Sequence, residues 1–120
     1  MERLWIALGA LAGFGAVAMA AVGAHALAGL PGPALAAIRS GIEMQGWHAL
    51  ALLGVGLWTR RGGWLADAAG IAFVIGLLLF CGGVYFHGLV GVSLGRIAPT
   101  GGTLLMIGWL LLFASALRAR

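Results

Sequence analysis

Long uncharged, apolar stretches separated by isolated charges run the whole length of the chain. The charged residues are Glu2, Arg3, Arg39, Glu43, Arg60, Arg61, Asp67, Arg96, Arg118 and Arg120. A hydrocarbon core about 30 Å thick needs about 20 apolar residues in a helix rising 1.5 Å per residue. The charges set off four such segments, at residues 4–27, 38–58, 64–85 and 97–117, the second carrying Arg39 and Glu43 near its start and the third Asp67. Lipid offers an unpaired backbone N–H or C=O no partner, so these segments are expected as helices. The expected fold is therefore all-α, an integral membrane four-helix bundle forming one domain over residues 1–120. Loop punctuation falls between the segments, at Gly29-Leu30-Pro31-Gly32-Pro33, at Gly62-Gly63 and near Pro99.

Composition supports lipid as the solvent. Hydrophobic residues make up 62% of the chain and charged residues 8%, against roughly 25% charged in an ordinary soluble domain. The mean hydropathy is +1.09. A small soluble domain buries only about 60% of the surface its unfolded chain exposes, too little to hide this much apolar area. The first segment has Arg3 and small-x-small patterns that resemble a secretory signal. Its apolar run is longer than the roughly 7–15 residues of a signal core, so it is expected to remain as a span. The lone Cys81 cannot form an internal disulfide.

The net charge of +4 does not indicate nucleic acid, because the arginines form no basic stripe with interleaved aromatics. They mark loop ends. With four spans, Arg3, Arg60, Arg61, Arg118 and Arg120 fall on one side, and Arg39 and Arg96 on the other. The positive-inside rule then predicts a plasma-membrane protein of bacterial inner-membrane type with both termini cytoplasmic. Trp5, Trp58 and Trp64 lie at the same boundary, where indole rings favour the headgroup level. Small residues recur every fourth position at Ala12, Ala16, Ala20 and Ala24, with Gly9 and Gly13 nearby. Such a stripe lets helices approach closely, and it predicts packing of the first segment on the second.

Polar residues within the spans gather toward the outer face. At 1.5 Å per residue from Arg39, Glu43 lies roughly 6 Å deep and His48 roughly 13 Å deep, with Gln45 between them. His25, Tyr85, His87 and Arg96 approach the same end from the other segments. A charge inside hydrocarbon usually faces the bundle interior and has a partner. Glu43 is thus expected to meet Arg39, Arg96, Gln45 or His48. This layer reads either as a satisfied polar network that fixes helix register or as a ligand site. The spacing of the three histidines gives no metal motif, and no metal or cofactor is expected. Cys81, Ser93 and Thr100 lack the context of an activated nucleophile, so no catalytic residue is assigned and the protein is not expected to be an enzyme.

Several motifs resemble a known family. They are Gly23-Ala24-His25-Ala26-Leu27, Gln45-Gly46-Trp47-His48-Ala49-Leu50-Ala51-Leu52-Leu53, the stretch from Phe80 to Tyr85, and Pro99-Thr100-Gly101-Gly102 followed by Gly108-Trp109. In order, and over nearly the whole chain, they are similar to the YgdD family of small membrane proteins, which includes human transmembrane protein 256 and carries a domain-of-unknown-function label. His25, His48, Tyr85, Gly101 and Gly102 stand at positions of that family's motifs. Trp47, Gly46 and Cys81-Gly82 depart from its pattern. The resemblance implies a four-helix inner-membrane protein with no assigned activity. The expected partners are the lipid bilayer and either a second membrane protein or another copy of the chain. The expected function is binding of a partner or small ligand at the outer polar layer; the alternative is a transporter or channel for a small solute or protons.

The arginine bias makes a direct prediction. A reporter fused to the C-terminus should be active only in the cytoplasm, and one inserted between His87 and Arg96 only on the opposite side. The reverse pattern in a paired fusion assay would overturn the orientation.

Overall fold

In a computed structural model that describes residues 1–119, the chain forms three helices: α1 (Glu2–His25), α2 (Gly32–Val90) and α3 (Ile97–Arg118). No strand occurs among the described residues, and Arg120, counted above in the charge bias, lies outside them. All three helices are long and apolar enough to cross a membrane. The expected count of four separate helices is corrected to three, because segments 38–58 and 64–85 belong to the single element α2.

A straight helix as long as α2 would measure about 89 Å at 1.5 Å per residue. The longest dimension of the molecule is 52 Å. The discrepancy is resolved at Gly63, where φ is 64° and ψ is −147°, the only non-helical backbone inside α2. That region is essentially restricted to glycine. Either side of it the chain folds back on itself. Thr59 bonds Asp67, the Cys81 thiol bonds the Gly41 carbonyl, and a Cβ at Gly88 would meet Ile38. These pairs lie nearly symmetrically about residue 63. Residues 32–62 and 64–90 are therefore two antiparallel arms of one hairpin, called here arms A and B.

The ends of α2 also move outward from their expected places. Gly32-Pro33 opens the helix instead of lying in a loop, since proline is tolerated in a first helical turn where its missing N–H has no partner to lose. The helix continues past Tyr85 and stops at Gly91, whose φ of 83° gives it a left-handed cap.

Helices α1 and α3 each pack on α2, and their backbones do not approach one another. Small residues make both contacts possible. A Cβ on Gly9 would lie 2.8 Å from the Ala49 carbonyl oxygen, and one on Gly76 would lie 2.9 Å from that of Gly101. Without a hydrophobic drive between helices in lipid, this closeness supplies the van der Waals contact that holds them. Along the predicted α1 stripe Ala16 is buried, Ala12 is half-buried and Ala20 is exposed. The core between the helices contains Trp5, Leu52, Val55, Phe73, Leu77 and Leu105. Large apolar residues such as Leu57 (79% exposed), Phe14 and Leu78 point outward.

A Cβ at Gly63 would touch nothing within 4 Å, so only backbone strain opposes a side chain there. Gly63→Ala should lower stability by about 1–3 kcal/mol, measured by reversible unfolding in mixed micelles. An unchanged midpoint would show that the reversal does not need glycine.

Candidate functional site

The hairpin geometry decides which polar residues meet. Gln45 on arm A lies under α1, and its Nε2 donates to the Ala12 carbonyl at 2.9 Å. From arm B the Tyr85 hydroxyl donates to Gln45 Oε1 at 2.8 Å. One side chain thus ties α1, arm A and arm B together. On the α3 side of the hairpin, the Trp109 indole donates to His48 Nε2 at 3.0 Å, and His48 Nδ1 lies 2.7 Å from the Met44 carbonyl. Both ring nitrogens are then used, Nδ1 as donor and Nε2 as acceptor, which is the neutral tautomer. Phe73 and Trp109 pack edge-on around the imidazole at centroid distances of 5.4 and 5.7 Å. His48, 3% exposed, has no lone pair left for a metal. Among the described residues no three His, Cys, Asp or Glu side chains come together as a metal site would need.

The predicted outer layer does not assemble as one cluster. His25, Arg39, Glu43, His87 and Arg96 are all exposed. Glu43 forms no ion pair or hydrogen bond with Arg39, Arg96, Gln45 or His48, which corrects the expected pairing. The reason is azimuthal. Glu43 is two residues from both Gly41 and Gln45, so at 3.6 residues per turn it lies about 200° around the helix from each. Gly41 and Gln45 face the bundle, and Glu43 does not. It lies with Arg39, Ala20 and Gly23 around a shallow cavity of about 300 Å³ between the end of α1 and the start of α2. Of the predicted site residues, Gln45 and Tyr85 are brought together, and His48 is used separately on the other side of the hairpin.

A second polar cluster sits at the Gly63 end. Asp67 Oδ1 accepts from the Trp5 indole at 2.7 Å and from the Thr59 hydroxyl at 2.6 Å. Trp5 is 2% exposed and lies so close to Gly70 that a Cβ there would be 2.8 Å from its ring. The Trp58 indole donates to Ser115 Oγ at 2.9 Å, which donates in turn to the Leu112 carbonyl at 2.6 Å. The Arg61 guanidinium stands 5.6 Å from the Trp58 ring centroid, and Arg60 pairs with Glu2 at 3.0 Å on the surface. Sequence reasoning treated Asp67 only as a boundary charge and Trp5 and Trp58 as interface anchors. An acid four residues from the loop, inside an apolar run, was the available signal that it faces protein.

Between α1 and the two arms lies a groove of about 370 Å³. Leu8, Leu11 and Ala12 form one wall, Gln45 and Leu52 the floor, and Val74, Leu77, Leu78, Cys81, Gly82 and Tyr85 the other wall. No charged residue lines it. Its polar end is the Gln45–Tyr85 pair. After its two bonds, Gln45 keeps one amide N–H, and the Tyr85 oxygen keeps acceptor capacity. The groove can therefore hold an apolar body and make one or two hydrogen bonds to a small polar group.

Comparison with known proteins places these features in a family context. The model of a family described as protein of unknown function DUF423 matches residues 19–102. The chain is 35% identical over 122 residues to a UPF0382 membrane protein of Haemophilus influenzae, covering 100% of this chain and 98% of that one. It is 32% identical over 120 residues to the UPF0382 membrane protein YwdK of Bacillus subtilis, covering 97% of this chain and 98% of the relative. It is 32% identical over 123 residues to the UPF0382 inner membrane protein YgdD of Escherichia coli K12, covering 99% and 93%. No solved structure matches the chain.

Two substitutions separate interior bonds from the surface charge. Glu43→Gln should change stability by no more than about 0.5 kcal/mol, as for surface sites without partners. Trp5→Phe removes a donor from the half-buried Asp67 and should cost about 1–3 kcal/mol. Equal losses in the two variants, measured by unfolding in the same micelles, would contradict the geometry.

Proposed function

Because the chain belongs to the DUF423 family of membrane proteins, we propose that it is a non-enzymatic binding protein of the cytoplasmic membrane that holds a small ligand or partner group at Gln45 and Tyr85. In this reading α1, the two arms of α2 and α3 make four crossings, with both termini in the cytoplasm. The Glu2–Arg60 and Trp58–Ser115 contacts support it, since they keep the start of α1, the Gly63 turn and the end of α3 at one end of the molecule. That end also carries Arg3, Arg60, Arg61 and Arg118, the richer side under the positive-inside rule.

The observation that carries the binding reading is the groove whose polar end is the Gln45–Tyr85 pair. A concave, mostly apolar site with a few convergent polar groups is the usual form of a ligand pocket. The original expectation of a binding layer in the outer half is thereby narrowed to two of its residues. Transport is the weaker alternative. A conduction path needs polar groups through the full thickness, whereas buried Leu52, Val55, Phe73 and Leu77 separate the Gln45–Tyr85 pair from the cluster at Asp67. Catalysis is disfavoured too, because the Cys81 thiol is turned to the Gly41 carbonyl and has no base beside it.

Native mass spectrometry of the protein released from mild detergent tests this reading. Wild type should carry a co-purified small molecule that Gln45→Leu loses while helicity is retained. A bare wild-type mass, or an adduct that survives Gln45→Leu, would overturn it.

A further inference from the structure

We infer that the groove takes a neutral lipid: a long hydrocarbon body bearing one uncharged oxygen function, a hydroxyl or carbonyl, which enters sideways from the bilayer and hydrogen-bonds Gln45 and Tyr85. This inference rests on the binding role proposed for that pair and adds the class of ligand and its route.

The route follows from where the groove opens. Leu11 and Leu78 stand on its opposite walls and are 67% and 70% exposed. Both lie within helices that are long and apolar enough to span the membrane. Their exposed faces therefore meet hydrocarbon, and only a molecule dissolved in the bilayer reaches the space between them. The rim has a further opening at Gly82, which is exposed and where a Cβ would meet nothing within 4 Å.

Length and depth set the shape of the occupant. From Val74 to Tyr85 the arm B wall runs about 16 Å at 1.5 Å per residue, close to half of a hydrocarbon core about 30 Å thick. The groove is thus elongated along the helices, with its floor made by Leu52 and its polar group at one end only. Along arm A, Gln45 lies about 9 Å from Arg39 and about 22 Å from Arg60. The polar end consequently lies inward of the exposed arm A charges Arg39 and Glu43. A phosphate drawn to that depth would lose its hydration, and no cation lines the groove to replace it.

The remaining chemistry selects the head group. The spare Gln45 N–H donates to a carbonyl or hydroxyl oxygen, and the Tyr85 oxygen accepts from a hydroxyl. An uncharged oxygen group satisfies these atoms without bringing a charge into the membrane. A pure hydrocarbon would leave them unused, and a charged lipid would have to descend to them.

Photolabelling in phosphatidylcholine nanodiscs tests the class of ligand. The probes are a diazirine-bearing long-chain alcohol and a phosphatidylcholine with the same diazirine on one acyl chain, with labelled residues located by peptide mass spectrometry. Leu52 and Leu77 report the groove, being 1% and 7% exposed, and Leu50 and Leu57 report the surrounding lipid, being 69% and 79% exposed. The alcohol should label both sets and the phospholipid only Leu50 and Leu57. Gly82→Leu, which places a side chain in the rim, should reduce alcohol labelling at Leu77 about tenfold, and Gly82→Ala should preserve it. Tyr85→Phe should reduce it about two- to tenfold, the effect of one hydrogen bond. Equal labelling of Leu77 by the phospholipid would overturn the neutral-lipid class while leaving a site at the groove. Absence of Leu77 labelling by either probe, or labelling untouched by Gly82→Leu, would overturn the groove as a lipid site, whatever native mass spectrometry finds at Gln45.

Discussion

At Gly63 the backbone adopts φ 64° and ψ −147°, and the two arms of α2 fold together about that residue. The other two helices depend on this turn, because the backbones of α1 and α3 approach only α2. A side chain at this position would meet no neighbour; the constraint is the left-handed backbone itself. Once the arms are antiparallel, Gly41 comes against Tyr85 and Thr59 against Asp67. The rest of the bundle is then built on both faces of the hairpin.

Packing on that hairpin follows from the absence of water. In hydrocarbon, apolar surface gains nothing by leaving lipid, so helices associate through close contact and hydrogen bonds. The contacts divide accordingly. Glycines bring backbones together, with Gly9 over Ala49 and Gly101 over Gly76. Side-chain bonds then fix register at both ends: Trp5 to Asp67 and Trp58 to Ser115 near the turn, and Gln45 to Tyr85 and His48 to Trp109 farther away. Every buried side-chain nitrogen and oxygen among the described residues has a partner. That full satisfaction makes His48 a brace between α2 and α3 rather than an open ligand. It leaves the half-buried Gln45–Tyr85 pair, with donor and acceptor capacity to spare, beside the groove.

The two faces of the hairpin are packed differently. On the α3 side, His48, Phe73 and Trp109 close the space with rings set edge to face, and the Phe73–Trp109 centroids are 5.1 Å apart. On the α1 side, small residues let α1 approach at Gly9 and Gly13, yet the region around Gly82 has no side chain to fill it. One face is therefore a packed seam and the other retains a groove.

The sequence by itself determined the class of fold and its solvent. Apolar segments of about 20 residues in a chain with 8% charge point to helices in lipid, since backbone groups there must bond within their own segment. It also grouped Gln45, His48 and Tyr85 toward one end of the spans, because rise per residue converts position into distance along the membrane normal. Direction around each helix was not legible in the same way. Depth alone put Glu43 with Gln45, whereas about 200° of rotation turns it to the outside; it also left Asp67 as a boundary charge, although its carboxylate points at Trp5 and Thr59. Those facings are set only when neighbouring helices dock. In a chain whose apolar residues surround each helix on all sides, no amphipathic stripe announces beforehand which side will meet protein and which will meet lipid.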